Sequence, residues 1–377
     1  MKAHQFNFKK SRIFPGGSVF GFAVLGILLL CPVQGYGQVV TMEETSGDSL
    51  DIIHYTPRKD WDFFDSEELL KLTLEFDFKE FTRGKRDLKY QDAVLKIHLN
   101  EFDSVVHEIR IRPRGIMRLN YCTFPPIKFN FKKSDSTSVY VGDETTMKLV
   151  THCKDFGNFE EWLLKEFLVY RMYNIMTEMS FRVRLVEMQY IDTGKKGKTM
   201  KKYGFLIEHL NSVADRNNAM PIDNEKLSQK LMDPHGMARV ALFNYMIGNT
   251  DWSVTGLHNI KVLKVNDFLV KDPQPIPYDF DYSGLVNTEY AIPTEGLGLE
   301  SVRDRLYRGI CLNKEVTDET IRLFLQMKMQ LYDVIENFEL LSKNDKKDMI
   351  EYMDGFFRIL DSNFLIQRDI YSNCIEF

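Results

Sequence analysis

The sequence predicts an α+β chain in two lobes, a strand-rich N-terminal part and a mainly helical C-terminal part. Three observations carry this. From Leu70 onward apolar residues alternate, with Leu72, Leu74, Phe76 and Phe78 on one face of a strand. Beyond Asp233 the apolar spacing becomes helical, as in Met237, Val240, Ala241 and Tyr245. In the C-terminal part, polar loops carry a set of Asp and Asn residues of the kind that hold metal ions and move protons.

The first 37 residues read as a cleavable signal peptide. Lys2, Lys9, Lys10 and Arg12 precede an apolar run from Val19 to Leu30, and Gly35-Tyr36-Gly37 offers small residues for cleavage before Gln38. The run is too short to cross a membrane comfortably. Cys31 suggests a lipoprotein, but Leu30 and Pro32 on either side fit that reading poorly. Residues 38–60 are polar and aperiodic and read as a flexible leader, so the fold is expected over 61–210 and 211–377.

Further strands are expected at 94–99, 105–112, 127–131 and about 146–151. Asn158 with Glu161 three residues on resembles a capping box, opening a helix through Trp162, Leu163, Phe167 and Tyr170. Strands near 182–192 and 202–209 flank the basic turn Gly194-Lys-Lys-Gly-Lys198, which reads as a solvated tip. Asp233-Pro234 opens the next helix and delivers the chain to Asn249-Thr-Asp251. Asn266-Asp267 reads as a two-residue hairpin turn between 260–265 and 268–271. Thr317 and Ser342 start two terminal amphipathic helices.

Charge and cysteine usage narrow the function classes. Signal-peptide removal takes four basic residues and no acidic ones, leaving 45 against 54 and a net charge of −9. Nucleic acid and anionic membrane are poor partners for such a chain, and no spanning segment is expected after cleavage. Cys122, Cys153, Cys311 and Cys374 remain, and their three possible pairings stay open. No Cys/His cluster, Gly-x-Gly-x-x-Gly, Walker loop, Gly-x-Ser-x-Gly or His-Glu-x-x-His is present.

What remains is the loop chemistry. Asp251 in Ile-Gly-Asn-Thr-Asp-Trp is a candidate base. Asn259 and the Asp279-Phe-Asp281 pair offer hard oxygens, and two carboxylates two residues apart on an extended segment repel unless a cation lies between them. Together with Arg112-Pro-Arg-Gly115 and Ile127-Lys-Phe-Asn-Phe131, in that order, these segments resemble the spore coat protein H (CotH) kinase family. The resemblance covers roughly 105–310. It implies a protein-kinase-like two-lobed fold and transfer of the ATP γ-phosphate to protein hydroxyls.

Under that resemblance Asp251 is the catalytic base, and Asn259, Asp279 and Asp281 hold Mg²⁺ or Mn²⁺. Lys128 reaches the ATP phosphates with Glu166 as its ion-pair partner. Arg114, with Arg112, touches phosphate, and Glu208 contacts nucleotide near the hinge. His209, His235 and His258 read as ordinary polar or core histidines. The partner is a co-exported or cell-envelope protein substrate in the periplasm or outside the cell, where ATP is scarce. Two alternatives stand beside this reading: a non-catalytic cell-envelope binding protein, and a metal-dependent glycosyltransferase using Asp-x-Asp.

Overall fold

The computed structural model describes residues 63–64, 66–132, 145–194 and 198–376. The signal peptide, the leader and most of the basic turn at 194–198 lie outside the described residues. Those described all fall in one compact unit.

The first half builds a closed barrel of seven strands. In chain order these are β1 (Leu70–Phe76), β2 (Gln91–His98), β3 (Ser104–Pro113), β4 (Ile127–Asn130), β5 (Thr146–Val150), β6 (Val183–Asp192) and β7 (Thr199–Ile207). Around the barrel the order is β1-β2-β3-β4-β5-β7-β6. Every pairing is antiparallel except the closing one, where Leu70 pairs with Val186 and Phe76 with Asp192 in parallel. Period-two alternation fills the interior with Leu72, Leu74, Leu95, Ile97, Ile111, Phe129, Leu149, Met188 and Tyr190. Phe78 is not in the strand. It starts the short helix α1 (Phe78–Arg83), which Asp77 caps by accepting from the backbone N–H groups of Lys79 and Glu80.

Helix α2 (Met117–Tyr121) joins β3 to β4, and α3 (Phe159–Asn174) joins β5 to β6. The Asn158 side chain makes no capping bond to α3. Glu160, not Glu161, reaches the sheet, accepting from the Tyr203 N–H at 2.7 Å.

Beyond β7 come α4 (Leu210–Arg216), β8 (Ala219–Ile222), α5 (Pro234–Ile247), β9 (Ile260–Val265), β10 (Gln274–Pro277), α6 (Lys314–Glu336), α7 (Lys343–Leu360) and the single turn α8 (Asn363–Ile366). Helix α5 begins with Asp233 as cap and Pro234 in the first turn, and ends at Gly248, whose φ of 64° closes it. β8, β9 and β10 form a small antiparallel sheet. The two-residue turn expected at Asn266-Asp267 is instead the whole 266–273 connection. Asp267 accepts from the Leu269 N–H, and Lys264 ties down the Val270 carbonyl, so 268–271 never becomes a strand. Helix α6 starts at Lys314, ahead of Thr317, because the Asn313 side chain caps it by accepting the Glu315 N–H.

The two-lobed, protein-kinase-like fold expected from the sequence is overturned by this architecture. The N-terminal strands close on themselves through the parallel β1·β6 pair. Moreover, one apolar core runs from Val150, Leu185 and Phe205 of the barrel strands through Leu168 and Met172 of α3 to Phe243, Phe324 and Phe356 of the later helices. The barrel keeps a separate interior, and the outer face of its strands β5, β6 and β7 packs against the helices in this second core. Two disulfides, Cys122–Cys153 and Cys311–Cys374, resolve the open pairing.

Candidate functional site

One cleft of about 630 Å³ gathers side chains from distant parts of the chain. Its walls include Arg114, Gly115 and Arg118 from the β3–α2 junction, Lys148 on β5, Tyr170 on α3, Asp251, His258 and Asn259 after α5, Lys261 on β9, and Tyr278, Asp279 and Asp281 after β10.

Asp251 is held by its neighbours in sequence. The Asn249 side chain accepts the Asp251 N–H at 3.0 Å and is itself anchored to Asn244. Arg308 donates to the carbonyls of Thr250 and Trp252 on either side. The carboxylate receives His258 Nε2 at 2.7 Å on one oxygen and the Asn259 amide at 3.0 Å on the other. The Asn259 amide also donates to the Asp251 carbonyl at 2.7 Å. Asn259 takes a φ of 51° to do so, and its carbonyl accepts the Tyr278 N–H, which fixes the approach of the acidic segment.

Asp279 sits at φ 62°, a left-handed conformation that a non-glycine residue adopts at some cost and that clusters at binding sites. Its N–H is received by the Tyr170 hydroxyl at 2.8 Å. Asp281 is buried, its carbonyl taken by Thr288 and its Oδ2 by Tyr290 at 3.0 Å. Glu166, on α3 and only 2% exposed, completes an acidic group whose oxygens lie within 4.8 Å of one another. Arg118 ties two of the three together, with Nη2 at 2.6 Å from Glu166 and 2.8 Å from Asp281.

The electrostatics follow from burial. Desolvation raises the Glu166 and Asp281 carboxyls above their usual range, against the opposing pull of Arg118 and with the like charge of Asp279 adding to the rise. Burial, then the charges of Arg114 and Lys261, brings the Lys148 ammonium down to about 8. Burial also lowers Arg114, although Asp279 opposes it.

The donor set fits a hard divalent cation. Oxygens sharing one ion at about 2.0–2.6 Å lie no more than about 4–5 Å apart, which these carboxylates satisfy. Glu166 Oε1 is buried and has no hydrogen-bond partner. Arg118 pairs with Glu166 and Asp281, and Arg114 lies within electrostatic reach of Asp279 and Glu166.

Of the residues singled out in the sequence, Asp251, Asn259, Asp279, Asp281 and Arg114 line this cleft, and Glu166 reaches it from behind through Arg118. Lys128 does not line it. Its cross-strand partners are Arg112 and Lys148, so it shares their face but stands one strand further away than Lys148. Arg112 packs on Tyr90 instead, 5.4 Å from the ring centroid. Glu208 lies outside the cleft as well, buried in an ion pair with Arg216 at 2.9 Å and accepting the Arg182 N–H.

Sequence reasoning missed Arg118, Lys148, Lys261, Tyr170 and His258 as cleft residues. Lys148 left a trace, since it sits in an expected strand and alternates with buried Met147 and Leu149. His258 adjoined a residue already singled out. Arg118 lies in a five-residue helix with no periodicity to reveal it.

No family model matches this sequence, and no curated protein aligns with it significantly. Among the described residues no helix is long and apolar enough to cross a membrane.

Proposed function

We propose that the chain is a divalent-metal-dependent phosphotransferase that moves the ATP γ-phosphate to a protein hydroxyl, in keeping with its resemblance to the CotH kinase family. The observation carrying this is the composition of one cleft. Asp251 and a buried carboxylate group share it with Arg114, Lys148 and Lys261, which supply the positive charge that a polyphosphate needs. The volume lies within the range of about 300–1,000 Å³ usual for small-molecule sites. Activity of this type depends on the placed groups and not on any one fold.

Asp251 would accept the proton of the attacking hydroxyl. His258 and Asn259 each engage one of its oxygens, which fixes the carboxylate plane and leaves a lone pair on each oxygen for the substrate. Lys148 and Lys261, whose ammonium groups lie 6.0 and 5.8 Å from the Tyr278 ring centroid, would hold phosphate oxygens, and Arg114 would pin a further one. Glu166, Asp279 and Asp281, with Asn259 in reserve as an amide oxygen, would hold Mg²⁺ or Mn²⁺, which supplies charge neutralisation at the transferring phosphoryl group. Two disulfides support a working site in an oxidising compartment, as export by the N-terminal signal would provide.

The test is labelling by γ-labelled ATP of the chain itself and of co-exported protein. Wild type should transfer label, and Asp251→Ala should lose about 10²-fold or more of the rate. ATP with Mg²⁺ or Mn²⁺ should raise the melting temperature of wild type and of Asp251→Ala, but not of Asp279→Ala. Equal labelling by wild type and Asp251→Ala would sink the assignment. A second reading, an anion-binding module without transfer, is favoured by the ion pairs of Arg118, which partly neutralise the carboxylates. It expects the ATP-dependent shift with no labelling at all.

A further inference from the structure

We infer that Arg118 stands where a second cation would sit, so that the Glu166–Asp279–Asp281 group takes one divalent ion and no more. The inference rests on the metal reading above and narrows it, because phosphotransferases that use paired carboxylates commonly hold two ions.

The argument begins with the ligand atoms. Asp281 Oδ2 already receives Arg118 Nε at 2.9 Å, Arg118 Nη2 at 2.8 Å and the Tyr290 hydroxyl at 3.0 Å, so it has no lone pair left for a metal. Glu166 Oε2 receives Arg118 Nη2 at 2.6 Å. The oxygens that remain are the other Asp281 oxygen, the Asp279 carboxylate and Glu166 Oε1, which is buried and has no partner. Two ions about 3.5–4 Å apart require carboxylate oxygens that bridge them. Here two of the six carboxylate oxygens, Asp281 Oδ2 and Glu166 Oε2, are taken by the Arg118 guanidinium.

Arginine stays protonated at any ordinary pH, so its occupancy of the position does not lapse by deprotonation.

Arg118 is also anchored against leaving. It belongs to α2, whose end is fastened at Cys122 to Cys153 by a disulfide. One residue before that bond, Tyr121 donates to Glu289, lies under the Lys154 ammonium at 3.6 Å and packs 5.0 Å from Tyr290. Tyr290 is the residue that shares Asp281 Oδ2 with Arg118. The guanidinium is thus held from its own backbone and from the loop it contacts.

The test counts bound Mn²⁺ per chain by electron paramagnetic resonance and equilibrium dialysis, with a saturating non-hydrolysable ATP analogue. Wild type should hold one Mn²⁺, Arg118→Lys should also hold one, and Arg118→Gln should hold two, with the line broadening of a spin-coupled pair. Two ions on wild type, or one on a folded Arg118→Gln, overturns the inference while leaving the metal reading in place. No Mn²⁺ on wild type overturns the metal reading and this inference with it. Should Arg118→Gln fail to fold, the counts on wild type and Arg118→Lys decide.

Discussion

At the scale of single residues, Lys148 carries the sharpest expectation. Its ammonium titrates near 8 in the folded chain against an ordinary 10.5, because burial and nearby positive charge disfavour the charged form. The empty protein carries that penalty in full below about pH 8. It sheds the penalty between about 8 and 10.5, where the unfolded chain binds more protons, so Lys148 makes stability rise with pH across that window. Anion binding runs the other way, since phosphate needs the ammonium. ATP affinity should fall as pH passes through about 8, and Lys148→Arg should flatten that fall because arginine stays charged; isothermal titration between pH 7 and 9.5 reads both. The residue also marks how far the sequence could be read. Lys128 and Lys148 both alternate with buried apolar neighbours in short strands, and only the order of strands around the barrel tells which one borders the carboxylates. Asp251, Asp279 and Asp281 were legible because a loop full of hard oxygens between helical and strand patterns is unusual whatever the fold. Arg118 was not, since one turn of helix has no period to detect.

At the scale of elements, the close contact between the end of α5 and the segment after β10 decides the geometry of the site. Gly284 donates its N–H to the Gly248 carbonyl at 3.1 Å, and Leu285 donates to Ile247 at 2.9 Å, which sets Asp251 and Asp281 on adjoining walls. Tyr352 of α7 fills the space over both glycines. A methyl group at Gly284 would meet its hydroxyl at 2.5 Å and the Val302 carbonyl at 2.7 Å. Gly284→Ala should therefore cost about 1–3 kcal/mol by overpacking, seen in the denaturation midpoint. It should also weaken Mn²⁺ binding although it touches no ligand; an unchanged metal affinity would mean that the two segments are positioned independently. Helix α5 was readable from Asp233-Pro234 and the apolar spacing that follows, because caps and periodicity are local. Its partner across the glycines was not, because that contact joins residues that share no local pattern.

At the scale of the whole molecule, the strands were legible one by one and their closure was not. Alternation says which face of a strand is buried, and it says nothing about which distant strand comes next to it, so the parallel β1·β6 seam escaped notice and a two-lobed arrangement took its place. The two large cores lead to a separate expectation for the disulfides. Loops of 31 and 63 residues closed by Cys122–Cys153 and Cys311–Cys374 should each add about 3–4 kcal/mol. Reduced protein should keep its near-ultraviolet circular dichroism at room temperature but unfold at lower denaturant; loss of that signal on reduction alone would mean that the core is weaker than its burial implies. The seam itself has a consequence in time. In a chain that emerges N-terminus first, from a ribosome or a translocation pore, Leu70 waits for Val186 while every strand between them is made. During that wait the growing sheet ends in an unpaired strand at β1, a ready template for any neighbouring chain. The danger of aggregation thus belongs to the interval before β6 and β7 arrive, since β6 covers β1 and β7 joins β6 to β5.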